Sequence, residues 1–224
     1  MLEFIWQEAL KFYSIIKFLL PAVPTTLKIT VVSFLLAILL GTFICILRLS
    51  VINFISKIAL WYANVIRGIP LLVLIFFIYF GLGKFLHLAQ YPAAILAIGI
   101  CYSAYLGEIF RAGIQAIPKE QFDAGRALGM KNFHIMYYII IPQAIRIILP
   151  PLINEFIACL KDSSLVSVIG LRDLTRAGRE YYSREFVVFE TWAMVALIYL
   201  VLTYLFSKLG LWLEKKYKKE KRER

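Results

Sequence analysis

The chain is poor in the side chains that carry out bond chemistry. It holds two histidines, His87 and His134, far apart and expected in loops on opposite faces of the molecule. No HExxH helix, no GxSxG elbow and no GxxxxGK[ST] phosphate loop occurs in its 224 residues. Zinc hydrolysis, serine-hydrolase chemistry and a phosphate loop of this chain's own are therefore not expected. The three cysteines, Cys45, Cys101 and Cys159, each sit in an apolar run without metal-ligand or disulfide spacing, so packed thiols are expected and no metal. Charged residues make up only 17%. The net charge of +11 does not point to nucleic acid, because seven of the 25 Lys and Arg residues crowd into the tail LEKKYKKEKRER after Trp212. That tail directly follows an apolar run, where basic residues hold a helix end on the cytoplasmic side. The N-terminus has no basic leader before its apolar part and no small-residue cleavage site after it, so no cleavable signal is expected.

What the chain has in excess is apolar surface: 61% hydrophobic residues and a mean hydropathy of +0.78. Soluble domains are about half apolar, so the excess points to lipid as solvent. Residues 1–21 mix Trp6, Phe12, Ile15, Ile16, Leu19 and Leu20 with Glu3, Glu8, Lys11 and Lys17, the pattern of an amphipathic helix lying in the membrane interface. Pro21 and Pro24 are expected to end it and start the next helix. Runs long enough to cross a core that takes about 20 residues cover Thr25–Leu47, Ile58–Gly81, Tyr91–Gly113, Ile135–Lys161 and Phe189–Leu211. The fourth is expected to be broken by Pro142, Pro150 and Pro151. The reading is an all-α membrane protein of five transmembrane helices within residues 22–211, followed by a basic cytoplasmic tail, 212–224. That tail puts the C-terminus inside and, with five crossings, the N-terminus outside. The stretch 162–186, with Arg172, Arg176, Arg179 and Arg184, then falls on the outer side against the charge rule. Asp173, Glu180 and Glu185 among them are expected to pair with it.

The loop at about 114–134 carries DAGRALGMKNFHIMYYIIIP, from Asp123 to Pro142. Pro118 can start a short helix and Gly129 can stop it. Phe122, Gly125 and Gly129 are spaced to share one face, an aromatic knob beside a shallow backbone that another backbone could approach. Glycine inside a helix costs roughly 1 kcal/mol against alanine, a poor choice for a loop that only bridges two spans.

This loop resembles the cytoplasmic signature of the permease subunits of ATP-binding-cassette importers, E-A-A, three residues, Gly, nine residues, I-x-L-P. Asp123, Ala124 and Gly125 stand at the E-A-A places, Gly129 at the glycine, and Ile139, Ile141 and Pro142 nine residues on; three positions are substituted and the spacing is kept. RGIPLLVLIFFIYFGLG (67–83) and LPPLINEFIACLKDSSLVSVIGLRDLT (149–175) are similar to the polar-amino-acid branch of these permeases, so the resemblance covers roughly residues 20–212. It implies the type I importer permease fold and a multi-pass protein of the bacterial inner membrane. The chain would form a dimer with a second permease copy. Phe122, Asp123, Ala124, Gly125, Arg126, Ala127 and Gly129 would dock on a separate ATPase subunit that carries ATP and Mg. An extracellular or periplasmic binding protein would deliver an amino acid.

Glu155 is the most informative polar residue within a span. It lies 13 residues beyond Pro142, roughly 20 Å along a helix, past the middle of the bilayer, where charge is costly and points to function. Either it pairs with Lys161 or Arg146 and pins helices together, or with Asn154 and Asp162 it faces a substrate cavity and binds a cation. The second reading favours arginine, lysine or histidine as cargo, with glutamine or glutamate as the alternative. Lys161, Ser163 and Ser164 would receive the α-carboxylate or only cap the helix. Arg67, Gly68 and Pro70 form a gate or helix kink, or act structurally. Glu108 and Arg111, one turn apart, are expected to pair locally. A stand-alone secondary transporter would explain Glu155 and leave the glycine-rich loop unexplained.

Overall fold

The computed structural model describes residues 2–219; the side chains of residues 1–5, 7–9 and 217–224 lie outside the described set, and with them Glu3, Glu8 and most of the basic tail. Eleven α-helices follow one another: α1 (Leu2–Leu19), α2 (Val23–Arg48), α3 (Asn53–Gly68), α4 (Leu71–Phe76), α5 (Gly83–Leu86), α6 (Gln90–Gln115), α7 (Lys119–Ala127), α8 (Asn132–His134), α9 (Ile141–Asp162), α10 (Leu174–Glu185) and α11 (Val188–Lys219). Among the described residues four stretches, 10–48, 90–115, 132–169 and 188–216, are long and apolar enough to cross a membrane, and the bent pair α3–α4/α5 makes a fifth when taken as one broken span.

Several joints differ from what proline content alone suggests. Pro21 and Pro24 do mark the change from α1 to α2, through a single 3₁₀ turn at Leu20–Ala22, but residues 10–48 run on as one helical stretch. Those 39 residues span roughly 58 Å, about twice the bilayer core, so one end must project. Its Ile15, Leu19 and Ala22 are buried against Leu174 and Ala177 of α10 and Met194 and Val195 of α11. Trp6, Leu10 and Tyr13 stay exposed. The fourth span is not broken either: Pro150 and Pro151 lie inside a continuous α9. Pro142 falls in the first turn of α9, just after a π-helical turn at Ile135–Ile140. The wider turn makes room where a proline ring would meet the carbonyl four residues back. The second crossing is the one that does break. Ile69 is extended (φ −97°, ψ 126°), as a residue preceding proline prefers, and the chain bends by 100° between Gly68 and Leu71.

The main core lies where α2, α4, α6 and α9 meet, on Ile29, Phe34, Ala37, Ile75, Ala94, Ala97, Ile98 and Leu106, with Cys101 and Cys159 packed among them. All three thiols are free and buried. At one end of the bundle Glu108 joins three helices. It accepts from Arg48 Nε of α2 at 3.1 Å and from Arg111 Nε and Nη2 of α6 at 3.0 and 2.7 Å. Arg48 also reaches the carbonyl and hydroxyl of Ser56 on α3, and Arg111 donates to Gln115. The local Glu108–Arg111 pair is present and part of a larger cluster.

At the opposite end, the charged stretch after α9 is paired in part, through Glu180 alone among the three expected carboxylates. Arg172 and Arg176 both pair with Glu180, and the guanidinium groups of Arg172 and Arg184 lie over the Phe18 ring of α1. Asp173, fully buried, caps α10 by accepting from the N–H groups of Thr175 and Arg176 at 3.0 and 2.9 Å. The Thr26 hydroxyl of α2 accepts from the Leu174 N–H at 3.0 Å, and the Tyr199 hydroxyl of α11 lies 3.5 Å from the Asp173 carboxylate. Burial pushes the Asp173 carboxyl up from its ordinary 3.8 to about 6, against the pull of those backbone N–H groups. An acid whose folded pKa is raised binds its proton more tightly in the folded state. The contribution of Asp173 to stability is then highest below pH 4 and falls as pH rises towards 6. A two-unit shift corresponds to about 3 kcal/mol at most. We expect the thermal midpoint of the detergent-solubilised protein to drop over this pH window, and Asp173→Asn to flatten the drop. An unchanged pH slope in the variant would remove Asp173 as its source.

Candidate functional site

The site is built from three elements that are remote in sequence. The α3–α4 bend brings Arg67, Gly68, Ile69, Pro70 and Leu71 to one wall of a cavity of about 450 Å³; α6 contributes Cys101, Tyr102 and Tyr105, and α9 contributes Glu155 and Asp162. Two carboxylates and one guanidinium therefore face a common space. A larger groove of about 580 Å³ between α2, α6 and α9 is walled by side chains such as Ile46, Ile114, Met136 and Ile145. An apolar wall cannot repay the desolvation of a charged solute, so the smaller, polar cavity is the candidate site.

Within it, Asp162 is held by the Tyr102 hydroxyl, which donates to Oδ2 at 2.8 Å. Glu155 is half-buried. It forms no ion pair with Lys161 or Arg146; the ion pairs among the described side chains lie elsewhere, at Glu108 and Glu180. The internal-pairing alternative for Glu155 is thus not what the structure contains. Arg67 donates to the Asn64 side chain at 2.8 Å and to the Ala63 carbonyl at 3.2 Å, rather than to either carboxylate. A guanidinium carries five N–H donors, so several stay available to a ligand.

Other expected residues are not in the cavity. Asn154 and Lys161 are exposed on the outside of α9, and neither lines the space. Ser163 is buried and donates to the Leu160 carbonyl at 2.8 Å, a helix-end role; Ser164 does not reach the cavity either. Conversely, the sequence treats Arg67, Gly68 and Pro70 as a separate gate, whereas here they line the same cavity as Glu155. Tyr102 and Tyr105 line the cavity without a signal from any motif, and Cys101, expected only as a packed thiol, lines it too. Two tyrosines within one turn, following the aliphatic and small-residue run PAAILAIGIC of the same helix, are the sequence signal.

The loop helix α7 has its own geometry. Its last turn closes as a Schellman motif, Met130 N–H to the Gly125 carbonyl at 3.1 Å and Gly129 N–H to the Arg126 carbonyl at 2.9 Å, with Gly129 at φ +73°. Gly129 therefore lies beyond the helix. The expectation of Phe122, Gly125 and Gly129 on one outward face is corrected: Gly125 is buried, and a Cβ there would lie 2.8 Å from Ile135 Cγ1 of this same chain. Phe122 packs with Ile117, Ile135, Ile140 and Ala144. The missing side chain seats α7 on the π-helical turn that leads into α9. The face left to solvent is Asp123, Ala124, Arg126, Ala127 and the protruding Leu128.

Comparison with known proteins places these features in a lineage. Residues 33–219 match the family described as binding-protein-dependent transport system inner membrane component. The chain is 36% identical over 205 residues to the arginine transport system permease protein ArtQ of Bacillus subtilis (strain 168), covering 91% of this chain and 94% of that protein. It is 39% identical over 166 residues to the glutamine transport system permease protein GlnP of Escherichia coli (strain K12), covering 73% and 76%. Among solved structures, an amino acid ABC transporter crystallised with histidines matches with a TM-score of 0.85 and 43% identity, over 92% of this chain and 98% of that one. The MetNI methionine transporter in an inward-facing form shares the fold at a TM-score of 0.78 and 19% identity, over 91% and 98%.

Proposed function

Since the chain belongs to the binding-protein-dependent transport system inner membrane components and is an amino-acid permease of the ATP-binding-cassette type, we propose that its cargo is a basic amino acid: arginine, lysine or histidine. The observation that carries the cargo is the charge content of the cavity. Glu155 and Asp162 lie two turns apart on α9, about 10 Å along the axis, with Arg67 on the facing wall. A basic amino acid has two cationic groups and one anionic group, the complement of two carboxylates and one guanidinium. In this reading the carboxylates take the α-ammonium and the side-chain cation, and Arg67 forks onto the α-carboxylate. Glutamine is the second reading, supported by relatives named for it. A neutral side chain would leave one cavity carboxylate without a counter-charge, which is costly where water is scarce.

The exposed face of α7 is the handle for a separate ATPase, which holds ATP and Mg, and the chain works as a pair with a second permease copy in the bacterial inner membrane. The α7 end and the basic tail are cytoplasmic. The α1–α10 end is external, where an amino-acid-binding protein delivers the cargo. ATP binding draws the ATPases together, and α7 passes that motion through Ile135 into α9, the helix that carries both carboxylates. The cavity is then exposed to one side or the other, and the chain itself contributes differential contacts rather than bond chemistry.

The test is ATP hydrolysis by the permease–ATPase complex in liposomes, titrated with arginine, lysine, histidine, glutamine and cystine. We expect stimulation by the cationic amino acids. Stimulation by glutamine alone would overturn the cargo, and failure to hold an ATPase would overturn the coupling role of α7.

A further inference from the structure

Resting on the reading of the cavity as a site for basic amino acids, we propose that Tyr105 is a specificity-determining residue that ranks planar cations, guanidinium first and imidazolium next, above an ammonium. Tyr102 and Tyr105 both line the cavity, yet their situations differ. Tyr102 is committed to Asp162 through its hydroxyl. Tyr105 forms no hydrogen bond with the described residues; its ring contact is with Tyr102, at 6.2 Å between centroids and a 45° tilt. It is 37% exposed, its ring open to the cavity.

Register puts that ring between the two carboxylates. Helices α6 and α9 are antiparallel: Tyr102 meets Asp162 near one end of the pair, and Gly113 meets Ile148 near the other. One turn along α6 from Tyr102 therefore moves from the level of Asp162 towards that of Glu155. A side-chain cation extending from an α-ammonium at Asp162 to Glu155 passes the ring of Tyr105.

Guanidinium and ammonium gain differently from this arrangement. A guanidinium is planar and weakly hydrated, so it can lay its face on the ring while its edge N–H groups fork onto the Glu155 carboxylate. An ammonium is a compact, strongly hydrated point charge with no face to stack; the carboxylate satisfies it and the ring adds less. On the flanking wall Ile69, Leu71 and Cys101 carry no charge, and the guanidinium of Arg67, the charged group there, is turned to the Asn64 side chain and the Ala63 carbonyl. Carboxylates alone would attract either cation, so the discrimination falls to the aromatic face.

The experiment is equilibrium binding of radiolabelled L-arginine to the purified permease–ATPase complex in nanodiscs without the binding protein, competed with L-lysine, L-histidine and L-glutamine. The variants are Tyr105→Phe and Tyr105→Leu. We expect arginine to bind more tightly than lysine to the natural chain, and Tyr105→Phe to keep the ratio. Tyr105→Leu is expected to lower it about fivefold, almost wholly through weaker arginine binding. Should Tyr105→Leu lose its monodisperse elution, Tyr105→Met, unbranched and adaptable, reads the same ratio. A ratio that Tyr105→Leu leaves intact, or one that Tyr105→Phe lowers equally, overturns the role of the ring and leaves the cationic cargo standing. Binding of glutamine with no binding of either cation overturns the cationic cargo and the role of Tyr105 together.

Discussion

Replacing Glu155 with glutamine is expected to weaken binding of a basic amino acid by about two orders of magnitude and to abolish its stimulation of ATP hydrolysis. The substitution keeps the size and one hydrogen-bond acceptor, and replaces the charge and the second acceptor by an amide donor. Losing one partner of a desolvated charge pair costs about 2–5 kcal/mol, and each 1.4 kcal/mol is about tenfold in affinity. The fold should not register the change, because Glu155 forms no ion pair with Lys161 or Arg146 and half-buried charge without a counter-ion is a cost to the folded state. Two readouts therefore separate: arginine binding collapses while the thermal midpoint holds or rises. Glutamine binding, if the chain has any, should survive. Retention of full arginine affinity would move the cation-binding role to Asp162, which Tyr102 already holds in place.

The second large effect is expected at Gly125, where valine should cut transport at least tenfold while leaving amino-acid binding in the cavity intact. A Cβ at this position would stand 2.8 Å from Ile135 Cγ1 and 3.1 Å from its Cδ1. Ile135 is fully buried and cannot step aside. Overpacking of this kind costs about 1–3 kcal/mol, and here the strain is relieved most easily by lifting α7 off the turn that leads into α9. The cavity lies at the other end of α9, at Glu155 and Asp162, so binding is spared while the mechanical link slackens. Transport in proteoliposomes and co-purification with the ATPase measure the loss. Pairing Gly125→Val with Ile135→Ala should restore much of it by making room, a rescue that no general damage to the loop would allow. Wild-type transport by the single variant would show that the seating of α7 on Ile135 is not part of the coupling.

What was legible in the residues alone is what depends on short range. Apolar runs of span length show themselves in any window of 20 residues, and they yield the five crossings. The spacing from Asp123 to Pro142 is a local pattern, and so is the carboxylate of Glu155 in the middle of an apolar helix; in the structure the first holds the short helix α7 and the second lines a cavity wall. The pairing of Arg172 and Arg176 with Glu180 is also local, acting over four to eight residues.

Tertiary structure decided everything that depends on which helix faces which. Proline lowers the helical preference of its neighbourhood, yet packing keeps α9 continuous through Pro150 and Pro151, while the chain turns by 100° around Ile69 and Pro70. Gly125 advertises an open backbone, and only the fold reveals that the approaching side chain is the chain's own Ile135 rather than a partner's. Arg67, Tyr102, Tyr105, Glu155 and Asp162 span nearly 100 positions and converge because α6 and α9 run antiparallel beside the α3–α4 bend. Hydropathy and spacing report the environment a segment needs, lipid or water, because that preference belongs to each side chain separately. Which side chains meet across the interior is set by the close packing of whole helices, a property that no single segment carries.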